Sequence, residues 1–135
     1  MSDERDTSVP RPLIALRVAL GLLLGTHGVY RAFAGGVEPF GSFLTASGVP
    51  LGLALAWLIT AFETLGSLCL VAGRCLSAVI PGFLLILSAG ILMVHAREGW
   101  FVVGGGRNGV EYSALLIVAL LVVLSSQRAS PSQRQ

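Results

Sequence analysis

The stretch from Val49 to Val71, VPLGLALAWLITAFETLGSLCLV, is predominantly apolar and carries one charged residue, Glu63, with three hydroxyl residues, Thr60, Thr64 and Ser67. A helix needs about 17–25 residues to cross a hydrocarbon core of roughly 30 Å, and this stretch is long enough. Three further apolar stretches surround it in the chain: Leu13–Phe33, Leu76–His95 and Val110–Leu124, the last extended to 108–126 to reach a full span. The apolar runs are continuous and do not alternate, so helices fit and barrel strands do not. Only a helix satisfies its own backbone hydrogen bonds within one segment in lipid. The first run exceeds a signal-peptide core and has a poor cleavage site at Thr26-His27-Gly28, so it is expected to be retained.

Composition agrees with this reading. Apolar residues make up 54% of the 135 and charged ones 12%, with a mean hydropathy of +0.82. A soluble domain carries about 25% charged residues. Such a balance excludes a soluble enzyme, a disordered tail and a disulfide scaffold. The nine cations are all arginine, and against seven acids they leave +2, without the basic face that nucleic acid requires. With both termini inside, Arg5, Arg11, Arg17, Arg74, Arg128 and Arg134 lie on the cytoplasmic side, and Arg31, Arg97 and Arg107 outside. The positive-inside rule favours that orientation.

Two connections carry structure of their own. In Gly35–Gly48, Pro39, Phe40, Phe43 and Leu44 form an apolar set suited to a short amphipathic helix in the outer interface, ended by Gly48. Glu98–Gly109 carries Trp100, Phe101 and three consecutive glycines, which suit an irregular loop at the headgroup boundary. The expected fold is all-α: an integral membrane antiparallel four-helix bundle with a short interfacial helix between spans 1 and 2. Residues 1–12 and 127–135 form cytoplasmic tails, and 13–126 the membrane domain.

Helix contacts in lipid are marked by small residues. Gly21, Gly25 and Gly28 line one face of the first span, and Gly52, Ala56, Thr60, Glu63 and Ser67 one face of the second. Ser77, Pro81, Ser88 and His95 on the third span, and Glu111, Val118 and Ser125 on the fourth, give two further faces, and all four are expected to meet at one polar seam. Glu63 lies too deep to snorkel out, so it is paired, neutral or facing a wet cavity. By depth alone Arg17 and His27 are both within reach of it. An Arg17–Glu63 ion pair fixing helix register and a functional proton or ligand site both fit. His27 reads either as a donor to a backbone carbonyl or as a proton-exchanging group. His95, Glu111 and Tyr112 stand at the outer ends of their spans, where local structure explains them and ligand contact is also open to them. Cys69 and Cys75 match neither a redox pair nor a zinc site, and no metal-ligand spacing occurs.

Leu16-Arg17, Leu20-Gly21, His27-Gly28 and Arg31, in that order, resemble the first helix of the DoxX family of small bacterial membrane proteins. The resemblance continues through Phe40-x-x-Phe43-Leu44, Gly48-Val49-Pro50, Glu63-x-x-Gly66, Gly73-Arg74, Gly99-Trp100-Phe101 and Gly109-x-Glu111-Tyr112, over about residues 13–125. Arg31 stands where the family commonly has lysine, a change that suits binding of an anion or carbonyl better than proton donation. The resemblance implies a four-span subunit of the bacterial inner membrane, associated with oxidoreductases such as thiosulfate:quinone oxidoreductase and with thiol and oxidative stress. A eukaryotic cargo-receptor family shares the fold, so fold alone does not establish redox work.

On this basis the expected ligand is a quinone or a similar lipid-soluble molecule, with no covalently bound cofactor. His27 and Glu63 are the candidate catalytic residues that relay protons. Arg31, Glu111, His95 and Tyr112 are candidate ligand-binding residues at the outer mouth. Electrons then come from a soluble or membrane redox partner. The alternative is a non-catalytic scaffold or receptor whose outer aromatic residues dock a partner or exported ligand.

Overall fold

The computed structural model describes residues 9–128. Among them the chain forms five α-helices: α1 (Arg11–Phe33), α2 (Val37–Ala46), α3 (Gly52–Ala72), α4 (Leu76–Met93) and α5 (Glu111–Arg128). A single 3-10 turn, His95–Arg97, follows α4. Helices α1, α3 and α4 with its following turn are long and apolar enough to cross a membrane, and α5 is a shorter apolar helix. Pro12 sits in the first turn of α1, where its missing N–H would have no partner within the helix. Pro81 is carried inside α4 on an exposed face, and the helix continues through it.

Glycine sets where the helices stop. Gly73 adopts φ 71°, and beyond it Arg74 N donates to Cys69 O while Gly73 N donates to Leu70 O. Gly48, at φ 85°, closes α2 in the same way, with Val49 N donating to Leu44 O. Both are left-handed ends that a residue with a Cβ adopts less easily.

Helix α1 runs antiparallel to α3 at very short range. A Cβ built on Gly21 would lie 3.0 Å from Ser67 O, on Gly25 3.0 Å from Ser67 Cβ, and on Gly28 2.9 Å from Glu63 Cβ. The expected α3 stripe is buried as a set: Gly52, Ala56, Thr60, Glu63 and Ser67. Helix α1 ends before the first turns of α3, and α2 covers what it leaves open. There, a Cβ on Gly41 would approach Leu53 Cα to 2.7 Å, and Val37 and Leu44 pack with Ala56. Thus the short helix expected between the first two spans is present as α2 and is stacked on α3. Its buried residues, Val37, Gly41 and Leu44, follow 4- and 3-residue steps, the pattern of a packed face.

Helices α4 and α5 depart from the expected polar seam. Ser77, Pro81 and Ser88 are exposed, as are Val118 and Ser125. The inward faces are Leu76, Val79, Ile80 and Phe83 on α4, and Leu116, Leu120 and Val123 on α5. With Leu20 and Leu24 of α1 and Leu70 of α3 they form one apolar core drawn from four helices. The Phe62 and Phe83 rings meet at 5.2 Å and 57° within it. A serine can face outward because its hydroxyl bonds locally, as Ser125 Oγ does with Val122 O at 2.9 Å. Of the four expected polar faces, those of α1 and α3 are packed together, while on α5 the inward polar residue is Ser113, which the sequence reading does not place there.

Gly28→Ala is expected to lower stability by about 1–3 kcal/mol by overpacking the α1–α3 contact. Gly90→Ala, whose added carbon would meet nothing closer than 3.9 Å, is expected to be neutral or mildly stabilising. Thermal unfolding of the two variants in detergent compares them directly.

Candidate functional site

Helix α3 presents Glu63 near its middle, and α1 presents Arg31 in its last turn. The antiparallel register set by the glycines brings the two to the same height. Arg31 Nη1 donates to Glu63 Oε2 at 2.6 Å, with the two side chains 18% and 9% exposed. The same Nη1 lies 3.3 Å from Thr60 Oγ1, which itself donates to Ala56 O at 2.7 Å. The Arg31 guanidinium carbon stands 4.4 Å from the centre of the Phe40 ring. One cation is thus held by an acid, a hydroxyl and an aromatic face, contributed by α3 and α2. Desolvated contacts of this kind are stronger than they would be in water.

The expected Arg17–Glu63 pair does not form, and Glu63 is engaged by Arg31. The Arg17 guanidinium lies against Gly73, at the C-terminal end of α3. Gly73 is ten residues beyond Glu63, about 15 Å along a helix rising 1.5 Å per residue. A cation is favoured at that position by the negative end of the helix dipole. The sequence estimate placed the span centres level with each other, whereas the packing slides α1 along α3.

His27 is exposed on α1, next to buried Gly28. With Thr26, Tyr30, Arg31, Gly36 and Pro39 it borders an open groove of about 670 Å³. Of the candidate residues, His27 and Arg31 therefore share one groove, and Glu63 stands behind Arg31.

The remaining candidates belong to the loop between α4 and α5. His95 Nδ1 lies 2.7 Å from Asn108 O; since a carbonyl only accepts, this nitrogen carries the proton. Glu111 Oε1 accepts from Val102 N at 2.9 Å. Gly109 N donates to Phe101 O, Val110 N to Gly99 O and Glu111 N to Trp100 O, which closes the loop on itself. A Cβ on Gly109 would stand 2.5 Å from the Trp100 carbonyl carbon, so this closure depends on glycine. His95 and Glu111 spend these bonds on holding the loop, and Tyr112 is exposed beside them.

Two contributors escaped the sequence reading. Thr60 was visible on the small-residue stripe, one turn before Glu63, but not as a ligand of the cation. Phe40 had no signal linking it to Arg31, because that contact depends on where α2 stacks. Among the described residues no group of three or more His, Cys, Asp or Glu side chains is placed to hold a metal ion.

Comparison with family models, with curated proteins and with solved structures gives no match for this chain.

Removing one partner of the buried pair leaves an uncompensated charge and is expected to cost about 3–5 kcal/mol in Glu63→Gln or Arg31→Gln. The double variant is expected to be clearly less destabilised than the sum of the two. Arg17→Gln combined with Glu63→Gln should instead add within about 0.5 kcal/mol, as distant sites do. A double-mutant cycle from unfolding midpoints in detergent reads both pairs.

Proposed function

We propose that the chain is a DoxX-type subunit of the bacterial inner membrane, with four antiparallel spans and both tails cytoplasmic, that binds a quinone or similar lipid-soluble carbonyl compound. The observation that carries this reading is the open groove shared by His27 and Arg31. Arg31 is neutralised by Glu63, so the groove has no net charge to demand an anion. Both Arg31 hydrogen bonds run through Nη1, which leaves Nε and Nη2 as donors for a carbonyl oxygen. A neutral head with hydrogen-bond acceptors fits these terms better than a phosphate.

The residues divide the work simply. Arg31 orients the oxygen, and the exposed His27 ring gives or takes a proton at it. Glu63 fixes Arg31 and holds the second ionisable position behind it. A quinone consumes protons together with electrons, and the electrons come from a partner protein. Glu111 and His95 act at one remove, through the bonds that hold the loop near the outer mouth, and Tyr112 is exposed beside them.

A docking role has its own support. Trp100 and Phe101 are 57% and 50% exposed on a loop whose backbone is closed by hydrogen bonds, a rigid apolar display suited to a partner protein. Such a surface would serve either a redox partner or the cargo of a non-catalytic receptor.

Titration of the purified protein in detergent with decylubiquinone, followed by quenching of tryptophan fluorescence, tests the binding reading. Saturable binding is expected, weakened about three- to tenfold in His27→Ala by loss of one hydrogen bond. Absence of saturable binding by the unaltered chain would sink it.

A further inference from the structure

Arg17 belongs to the opposite end of the molecule from the His27–Arg31 groove. The contacts of Gly21, Gly25 and Gly28 set α1 against α3 so that Gly73, which closes α3, falls level with Arg17. Helix α1 begins six residues before Arg17, at Arg11, and so overhangs the α3–α4 turn by about 9 Å. A ledge results. Its floor is Gly73, where a Cβ would stand 2.6 Å from Arg17 Cζ and 2.8 Å from Nη2, so only glycine lets the guanidinium lie against the backbone there. Arg74 follows on the same turn and is exposed. Among the described residues no acid serves these two cations: Glu63 is engaged by Arg31, and Glu38, Glu98 and Glu111 belong to the other end of the helices. Arg17 is part-buried, with Nε enclosed and without a partner among the described residues, so a ligand has to be met by Nη1 and Nη2.

Helix α3 has 21 residues, about 31 Å, which matches a hydrocarbon core of roughly 30 Å. In a membrane its end, and the ledge upon it, therefore stand at the height of lipid phosphates. Beneath the ledge a recess of about 720 Å³ runs along α1 and α3, bordered at that end by Gly21, Leu22, Leu68 and Val71. Leu22 also borders a second groove of about 460 Å³, which continues along α1 past Val18 and Ile14. Two neighbouring cations repel each other unless an anion joins them, and the guanidinium fork matches two phosphate oxygens.

We propose that the ledge and the recess form a binding site for an anionic phospholipid of the leaflet that faces the α3–α4 turn. Its phosphodiester accepts from Arg17 Nη1 and Nη2 and from Arg74, and one acyl chain lies along α1 and α3. The surrounding lipid is as apolar as the recess, so the head group supplies the selectivity and the chain the orientation. The site is separate from the proposed quinone groove, and its test uses no quinone.

The full chain, freed of lipid in a neutral detergent, is titrated with dioleoylphosphatidylglycerol, and the lipid concentration giving half of the maximal rise in unfolding midpoint is read. Dioleoylphosphatidylcholine and soluble glycerol 3-phosphate are expected to give little or no rise. Arg17→Gln is expected to increase the half-effect concentration about tenfold. Arg74→Gln, at an exposed position where the fold survives, is expected to increase it about fivefold. Arg11→Gln, at the tip of the overhang, should stay within about twofold of the unaltered chain. Leu22→Trp, at a position 61% exposed, should crowd the recess and weaken the effect about threefold. Equal losses in Arg11→Gln and Arg17→Gln indicate a diffuse basic surface and overturn the site. An equal rise with phosphatidylcholine overturns the anionic head group, and an equal rise with glycerol 3-phosphate assigns the ledge to a free phosphate. An unchanged response in Arg74→Gln overturns the paired cations, and one in Leu22→Trp removes the acyl chain from the recess.

Discussion

A carboxylate in the middle of an apolar helix has to be neutralised or solvated, and here Glu63 meets Arg31 at 2.6 Å. Much of the surrounding structure serves this contact. The glycines of α1 let the two backbones approach closely enough for a long side chain near the end of one helix to reach the middle of the other. Thr60 accepts from the same guanidinium nitrogen, and α2 stacks where Phe40 can cover the cation. Take away the close approach, and each of these groups loses its partner. A buried ion pair is weak ground for stability in itself, because desolvation offsets much of the attraction. Its larger effect is on register, since sliding α1 by one residue would separate two charges in a medium that cannot screen them.

The polarity of the site follows from the same pairing. Neutralising the arginine internally turns what would be an anion trap into a neutral, hydrogen-bonding edge, open beside a histidine. Beside that edge a largely apolar recess of about 720 Å³ runs along α1 and α3. Binding in such a place is governed by where hydrogen-bond donors stand relative to apolar walls, and less by net charge.

Much of this was legible in the sequence, though unevenly. The approximate limits of the long helices followed from apolar run length, and their packed faces on α1 and α3 from the small residues Gly21, Gly25 and Gly28 and the stripe from Gly52 to Ser67. Those signals are local and periodic. The partner of Glu63 was not legible, because the choice between Arg17 and Arg31 depends on how far one helix slides along another. Depth counted from span centres gave Arg17; the glycine contacts decide for Arg31. The serines of α4 and α5 misled for another reason. A helical serine can satisfy itself on its own backbone, so a polar residue does not by itself mark an inward face. The spacing of Leu76, Val79, Ile80 and Phe83 carried the correct signal. Phe40 over Arg31 and the loop bonds of His95 and Glu111 come from chain segments whose relative placement no periodicity encodes.

The order in which the two charges leave the ribosome has a bearing on how such a chain can be built. Arg31 belongs to the first long helix and lies in its last turn, where in a membrane its aliphatic stem could lift the guanidinium toward the headgroups. Glu63 arrives later, at the centre of α3, with no such escape. Biosynthesis thus lays down the charge that can bide its time before the one that cannot. In a membrane, the counter-ion of the acid would thus already be present on α1 when α3 arrives beside its glycine face.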